Sequence, residues 1–207
     1  MRPDFNNWQL LSIESLKQIM HDADYDWYLA GGIALDEFLG RKTRNHEDID
    51  ILVNFKEIEC ILDFFNSYNV YTARNGSLSL SLRNNIKSTD SLWIANDDKE
   101  SFIIEILFFE EEAGHWIYKR NDAVRKKIED IYFVKNDMKI IQPEIQLLYK
   151  MNSSNVREKD LDDYHNVYPV LEERQKEWLD SVLKFDKLDN EKVQDELLEH
   201  FPKSEKL

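Results

Sequence analysis

Apolar residues recur every three or four positions over residues 8–21, at Leu10, Leu11, Ile13, Leu16, Ile19 and Met20. That spacing predicts a first amphipathic helix. Trp27-Tyr28-Leu29-Ala30 is a short aromatic and apolar run and predicts a strand. Gly31-Gly32 follows, and residues 33–39 predict a helix that Gly40 stops. The polar stretch 41–47 reads as a loop. Asp48-Ile49-Asp50-Ile51-Leu52-Val53 alternates and then turns apolar, as a second strand would. Residues 56–68 predict a helix with Ile58, Ile61, Leu62 and Phe65 on one face, and Cys60 is expected in the core there. Residues 70–74 and 77–83 flank Asn75-Gly76, a strong hairpin signal. The strict alternation Ser77-Leu78-Ser79-Leu80-Ser81-Leu82 predicts one buried and one wet face. Further strands are expected at 91–95 and 102–109, and a second hairpin at 131–134 and 138–141. From Pro143 the pattern turns helical, through about residue 149, then 156–167, 171–185 and 192–201. The expected architecture is α/β (α+β): a mixed sheet flanked by helices over residues 1–141, then a helical region over 142–207.

Composition narrows the function. The 207 residues carry 27 Lys and Arg against 41 Asp and Glu, a formal charge of −14. A general nucleic-acid binder needs clustered basic residues to neutralise phosphates, so that class is disfavoured. An acidic chain suits a small cationic partner. With 42% hydrophobic and 12% aromatic residues the chain is too apolar for disorder. Charges break every apolar stretch before it could span a bilayer, and the N-terminus has no signal-type run. A single cysteine excludes an internal disulfide, and a reducing, cytoplasmic location is expected.

The candidate chemistry sits at a few positions. Gly31 and Gly32 are two of only five glycines and fall at a strand-to-helix junction. Backbone there can approach a ligand closely, and a helix N-terminus offers N–H groups to phosphate. Asp48 and Asp50, two apart on an expected strand, project to one face. Carboxylates so close repel unless a cation lies between them, and Mg²⁺, which takes oxygen ligands, is the natural partner. Glu105 interrupts the apolar run Phe102–Phe109 and is the candidate third acid of a site for two metals about 4 Å apart. Glu110, Glu111 and Glu112 read as solvated residues at the end of that strand, and Asp97 and Asp98 as turn residues. Arg41 and Arg44 are candidates for phosphate contact or for pinning the loop, and Lys42 for solvent. His46 reads as an orienting hydrogen-bonding group rather than a ligand. The other histidines lack zinc-ligand spacing. Trp93, Trp116 and Trp178 are expected in packing.

Taken together, Gly31-Gly32-Ile33-Ala34-Leu35-Asp36, Leu39-Gly40-Arg41, Thr43-Arg44 and His46-Glu47-Asp48-Ile49-Asp50-Ile51 resemble the signature of antibiotic nucleotidyltransferases of the DNA polymerase β superfamily. The likeness is to aminoglycoside adenylyltransferases and lincosamide nucleotidyltransferases, strongest over residues 27–53. It implies transfer of a nucleoside monophosphate, with AMP from ATP the expected case, to a hydroxyl of a small molecule such as an antibiotic. It implies Mg²⁺ on Asp48 and Asp50, and Glu105 as the third acid, ligating metal or taking the acceptor's proton. Gly31 and Gly32 would lie against the triphosphate. Tyr149-Lys150 with Arg157-Glu158-Lys159-Asp160 resembles a helical segment of such enzymes in which a Lys lies near the phosphates, so Lys150 joins Arg41 and Arg44 as a nucleotide contact. Three residues depart from the pattern: Ile33 where close relatives often have Trp, no Ser after Gly32, and Glu rather than Asp at 105. Two other roles share these residues, a toxin-type nucleotidyltransferase acting on tRNA or protein, and a non-catalytic nucleotide-binding relative. Neither the acceptor nor the oligomeric state is written in the sequence.

Overall fold

The computed structural model describes residues 5–96 and 101–187. The helix expected over 192–201 and the turn at Asp97 and Asp98 lie outside the described residues.

Helix α1, Ile13–Ile19, starts where the Ser12 hydroxyl accepts the Ser15 backbone N–H at 3.0 Å. It is shorter than the periodicity suggests, because the backbone before it is used elsewhere: Gln9 N–H donates to the Phe102 carbonyl at 2.8 Å. Strand β1, Trp27–Ala30, leads directly into α2, Gly31–Leu39, and Gly40 ends that helix at φ 67°. Strand β2 runs Asp50–Asn54, so Asp48 and Ile49 precede it. Helix α3, Ile58–Phe64, follows a 3-10 turn at Phe55–Glu57 that Asn54 caps through the Lys56 N–H at 3.1 Å. Ile61, Leu62 and Phe65 are buried while Cys60 is exposed, contrary to expectation. At 100° per residue, the face carrying Ile61 and Phe65 turns Cys60 away from the core.

Strands β3, Asn69–Arg74, and β4, Ser77–Leu80, form the expected hairpin. Asn75 and Gly76 both have positive φ, 50° and 70°, as a mirror-type two-residue turn requires. The alternation in β4 does not bury a face, however: Leu80 is 59% and Leu82 69% exposed. As the last strand of the sheet, β4 bonds only to β3. Strand β5 is Ser91–Ala95 and β6 is Phe102–Glu112. The end of β6 runs three residues beyond the expected strand, because Glu110–Glu112 pair with β7, His115–Ile117, which pairs with β8, Arg125–Lys127. Of the three acids expected in solvent, Glu110 and Glu112 are exposed but Glu111 is half-buried, accepting from Asn54 at 2.7 Å and Lys56 at 3.1 Å. Strands β9, Tyr132–Lys135, and β10, Met138–Ile141, make the second hairpin, again over two positive-φ residues, Asn136 and Asp137.

The sheet order is β4-β3-β5-β6-β2-β1-β10-β9, with β7 and β8 continuing from the far end of β6. It is mixed: β2 is antiparallel to β1 and parallel to β6, and β1 is parallel to β10. The central strands are apolar on both faces. Ile51, Leu52 and Val53 are all buried, as are Ile103, Ile104, Ile106 and Phe108. Each such side chain contributes about 1.5–3 kcal/mol by leaving water. Trp116 is fully buried, and Trp93 packs between Trp8 and Phe102 at centroid distances of 4.9 and 5.0 Å.

The chain divides into two compact units, residues 1–146 and 147–207. The division falls inside α4, Pro143–Met151. In the second unit α5, Glu158–Val167, and α6, Glu173–Lys187, follow the end of α4. Trp178 is half-buried on α6. Among the described residues, no helix is long and apolar enough to cross a membrane.

Candidate active site

The parallel pairing of β2 and β6 sets Asp50 directly beside Glu105 in register, so the two carboxylates leave the sheet on one face. Just before β2, the Ile49 carbonyl accepts the Glu105 backbone N–H at 3.0 Å, which keeps residues 48 and 49 against β6. Ile49 itself is buried and anchors this corner. Asp48 is thereby brought to the same place: Asp48, Asp50 and Glu105 each offer a carboxylate oxygen, all within 4.8 Å of one another. All three are partly exposed. The Ser91 hydroxyl, from β5, donates to Glu105 Oε1 at 2.7 Å and holds that longer side chain. Three carboxylates with only oxygen donors match a hard divalent cation.

The glycine pair adjoins this cluster. β1 and β2 pair Ala30 with Asp50, so α2 begins beside the carboxylates. Gly31 sits at φ 70°, and a Cβ there would overlap the Asp50 carboxylate. Both facts demand glycine. The Gly31 N–H is taken by the buried Gln146 side chain at 2.8 Å. Gly32 has no positive φ, so its glycine answers to crowding instead: a Cβ would meet the Arg44 guanidinium and come within 2.6 Å of the His46 ring. The N-cap residue, Ala30, makes no side-chain capping bond, so the cap at Gly31 comes from Gln146.

The loop over α2 is tied down by Asp36. This buried carboxylate accepts the Thr43 N–H at 3.0 Å and hydroxyl at 2.6 Å on Oδ1, and faces His46 Nε2 at 2.6 Å with Oδ2. His46 is thus a hydrogen-bonding post. Arg44 is half-buried with Nη1 donating to the Asn45 carbonyl at 3.2 Å, whereas Arg41 and Lys42 are exposed.

Lys150 belongs to the second unit and is buried there with two acids, Asp160 at 3.1 Å and Asp163 at 2.8 Å. Asp160, in the first turn of α5, also accepts from the Arg157 backbone at 3.2 Å and from its Nε at 2.7 Å. Burial pushes the Asp160 carboxyl up. Bonds from Arg157 and Lys150 outweigh that and bring it down to about 2.

Three participants carried no assigned role at the level of sequence. Asp36 had a signal, being one of two adjacent acids, with Glu37, in the otherwise apolar run 33–39. Ser91 and Gln146 had none, since their importance depends on which strand or helix lies opposite.

Residues 12–98 match the family model described as Aminoglycoside-2''-adenylyltransferase. That span holds the glycines, Asp36, Asp48 and Asp50 and stops before Glu105. No curated protein matches by sequence. Among solved structures, the lincosamide antibiotic adenylyltransferase LnuA, lincomycin-bound, is 16% identical, with a TM-score of 0.53 over 83% of this chain and 100% of its own. ANT(2'')-Ia in complex with adenylyl-2''-tobramycin is 13% identical, with a TM-score of 0.56 over 84% and 96%. A solution structure of ANT(2'')-Ia is 12% identical, with a TM-score of 0.55 over 89% and 95%. The mixed sheet, the glycine-started helix and the converging acids belong to a protein of the nucleotidyltransferase fold that resembles the aminoglycoside and lincosamide adenylyltransferases.

Proposed function

We propose that this protein is a nucleotidyltransferase that moves AMP from ATP to a hydroxyl of a small antibiotic-like molecule, in a reaction dependent on Mg²⁺. The observation that carries the reading is the meeting of Asp48, Asp50 and Glu105 within 4.8 Å, beside a helix start where Gly31 sits at φ 70° against the Asp50 carboxylate. Asp48 and Asp50 would hold Mg²⁺, which would supply neutralisation of the triphosphate's charge, with Glu105 beside them as the third acid. Gly31 and Gly32 let the backbone approach the phosphates, and Arg44 and Arg41 are the proposed cationic contacts. The acceptor oxygen attacks the α-phosphorus, its new P–O bond forming as the bond to pyrophosphate breaks. Glu105, held by Ser91, takes the acceptor's proton. Such a transfer needs positioning and charge neutralisation more than covalent help.

The matching family is that of an aminoglycoside adenylyltransferase, and the similar structures include complexes with lincomycin and with adenylyl-2''-tobramycin. The net charge of −14 suits a polycationic acceptor such as an aminoglycoside. Incubation with Mg²⁺, labelled ATP and a panel of aminoglycosides and lincosamides should release pyrophosphate and label one class of acceptor. No pyrophosphate and no labelled product with any nucleoside triphosphate would refute the reading.

A further inference from the structure

We infer that Asp36 is a positioning residue for the nucleotide: it acts through the 41–47 loop, setting Arg44 beside the start of α2 where the triphosphate is to lie. The inference rests on the nucleotide-transfer reading. It goes beyond that reading by giving a task to a carboxylate that neither ligates the proposed cation nor touches the reacting atoms.

Asp36 is buried on α2, five residues into the helix that opens at Gly31. A buried carboxylate must be satisfied, and this one binds the same short loop at three points. Oδ1 accepts from the Thr43 N–H at 3.0 Å and hydroxyl at 2.6 Å, and Oδ2 lies 2.6 Å from His46 Nε2. Its backbone carbonyl adds a fourth point, accepting the Arg41 N–H at 3.2 Å. A carboxylate can only accept, so the bond to His46 requires Nε2 to carry the hydrogen. That orientation places the other side of the ring, Cε1 and Nδ1, against Gly32. Thr43 and His46 bracket Arg44 in sequence. With both held, the Arg44 guanidinium is set against the same glycine. The absence of a side chain at Gly32 is therefore matched to the loop: the space of its missing Cβ is where the Arg44 and His46 side chains come in. Side chains that orient a contacting residue in this way decide whether the contact is formed before the ligand arrives.

The test combines single and double variants. Wild type, Asp36→Asn, Arg44→Ala and the double variant are assayed for kcat and for KM toward ATP at saturating acceptor. The affinity of a non-hydrolysable ATP analogue with Mg²⁺ is measured by calorimetry. Asp36→Asn should raise KM for ATP and the analogue's Kd about tenfold, with a much smaller change in kcat. Arg44→Ala should do the same, and the double variant should be no worse than Arg44→Ala alone, because Asp36 acts through it. Lys42→Ala, in the same loop but exposed, serves as the unaffected control. If Asp36→Asn does not fold, Thr43→Val removes one of the same bonds from a partly exposed position. It should raise the analogue's Kd by about threefold.

An analogue affinity within about twofold of wild type in Asp36→Asn, or in Thr43→Val where Asp36→Asn does not fold, overturns the inference. So do effects of Asp36→Asn and Arg44→Ala that multiply. Wild type that neither binds the analogue nor forms product would remove the nucleotide-transfer reading, and this inference with it. Wild type that binds while Asp36→Asn is unchanged removes the positioning role alone.

Discussion

Asp50 carries two duties that a single substitution can separate. Its carboxylate is one of the three converging acids, and it also fills the space over Gly31. Asp50→Asn keeps the shape and removes the charge. Activity should fall at least about 100-fold, with the melting temperature nearly unchanged. Full activity in a folded Asp50→Asn protein would remove the metal role. Ser91 makes a finer test, because its hydroxyl holds Glu105 without being one of the acids. Ser91→Ala should lower kcat about tenfold while leaving KM for ATP close to wild type. A change in KM alone would mean that Ser91 shapes nucleotide binding and not the acid. Asp48 and Asp50 could be recognised from their spacing, and Glu105 from its charge within an apolar run. Ser91 could not, because nothing in β5 announces that it will lie next to β6.

Elements show where local rules are enough and where they give way. Asn75-Gly76 and Asn136-Asp137 turn their hairpins because all four residues accept positive φ, a property visible in the residue types. The Ser-Leu alternation of β4 was equally visible but misleading: period 2 reports a strand, whereas burial depends on what covers it, and β4 is an edge. Gly31 belongs to both classes. Its φ of 70° could be suspected from a glycine at a strand-to-helix junction, and its contact with Asp50 could not. Gly31→Ala should cost about 1–2 kcal/mol in chemical unfolding from the left-handed backbone alone. Activity should fall by more than that loss explains, since the methyl group displaces Asp50. In the second unit, Lys150 lies buried between Asp160 and Asp163, joining α4 to α5. Breaking a buried pair leaves an uncompensated charge, so Lys150→Met should destabilise that unit by about 3–5 kcal/mol. Asp160 is held at about 2, below its ordinary value of 3.8. Its stabilising effect is therefore complete above pH 4 and is lost as the pH falls toward 2. Acid unfolding followed by fluorescence should be shallower over that window in Asp160→Asn.

For the whole molecule, the proposed reaction implies linkage between ligand binding and stability. Mg²⁺ with a non-hydrolysable ATP analogue at 100 times its Kd should stabilise the binding unit by about 2.7 kcal/mol, seen as a raised melting temperature. No rise with both present would argue against any nucleotide-binding role. The amino-acid sequence by itself determined most of the elements, β7 and β8 excepted, the turn residues and the identity of the three acids. These follow from residue type and short-range periodicity, which a linear string records in full. Tertiary structure alone decided that Asp48, Asp50 and Glu105 meet, because their approach depends on β2 lying parallel to β6. It also decided that Cys60 faces water, that Leu80 stays uncovered, and that Asp36 meets His46, Ser91 meets Glu105 and Gln146 meets Gly31. In each case the deciding partner is distant along the chain or on another element, and strand order and packing, which no local pattern encodes, select it.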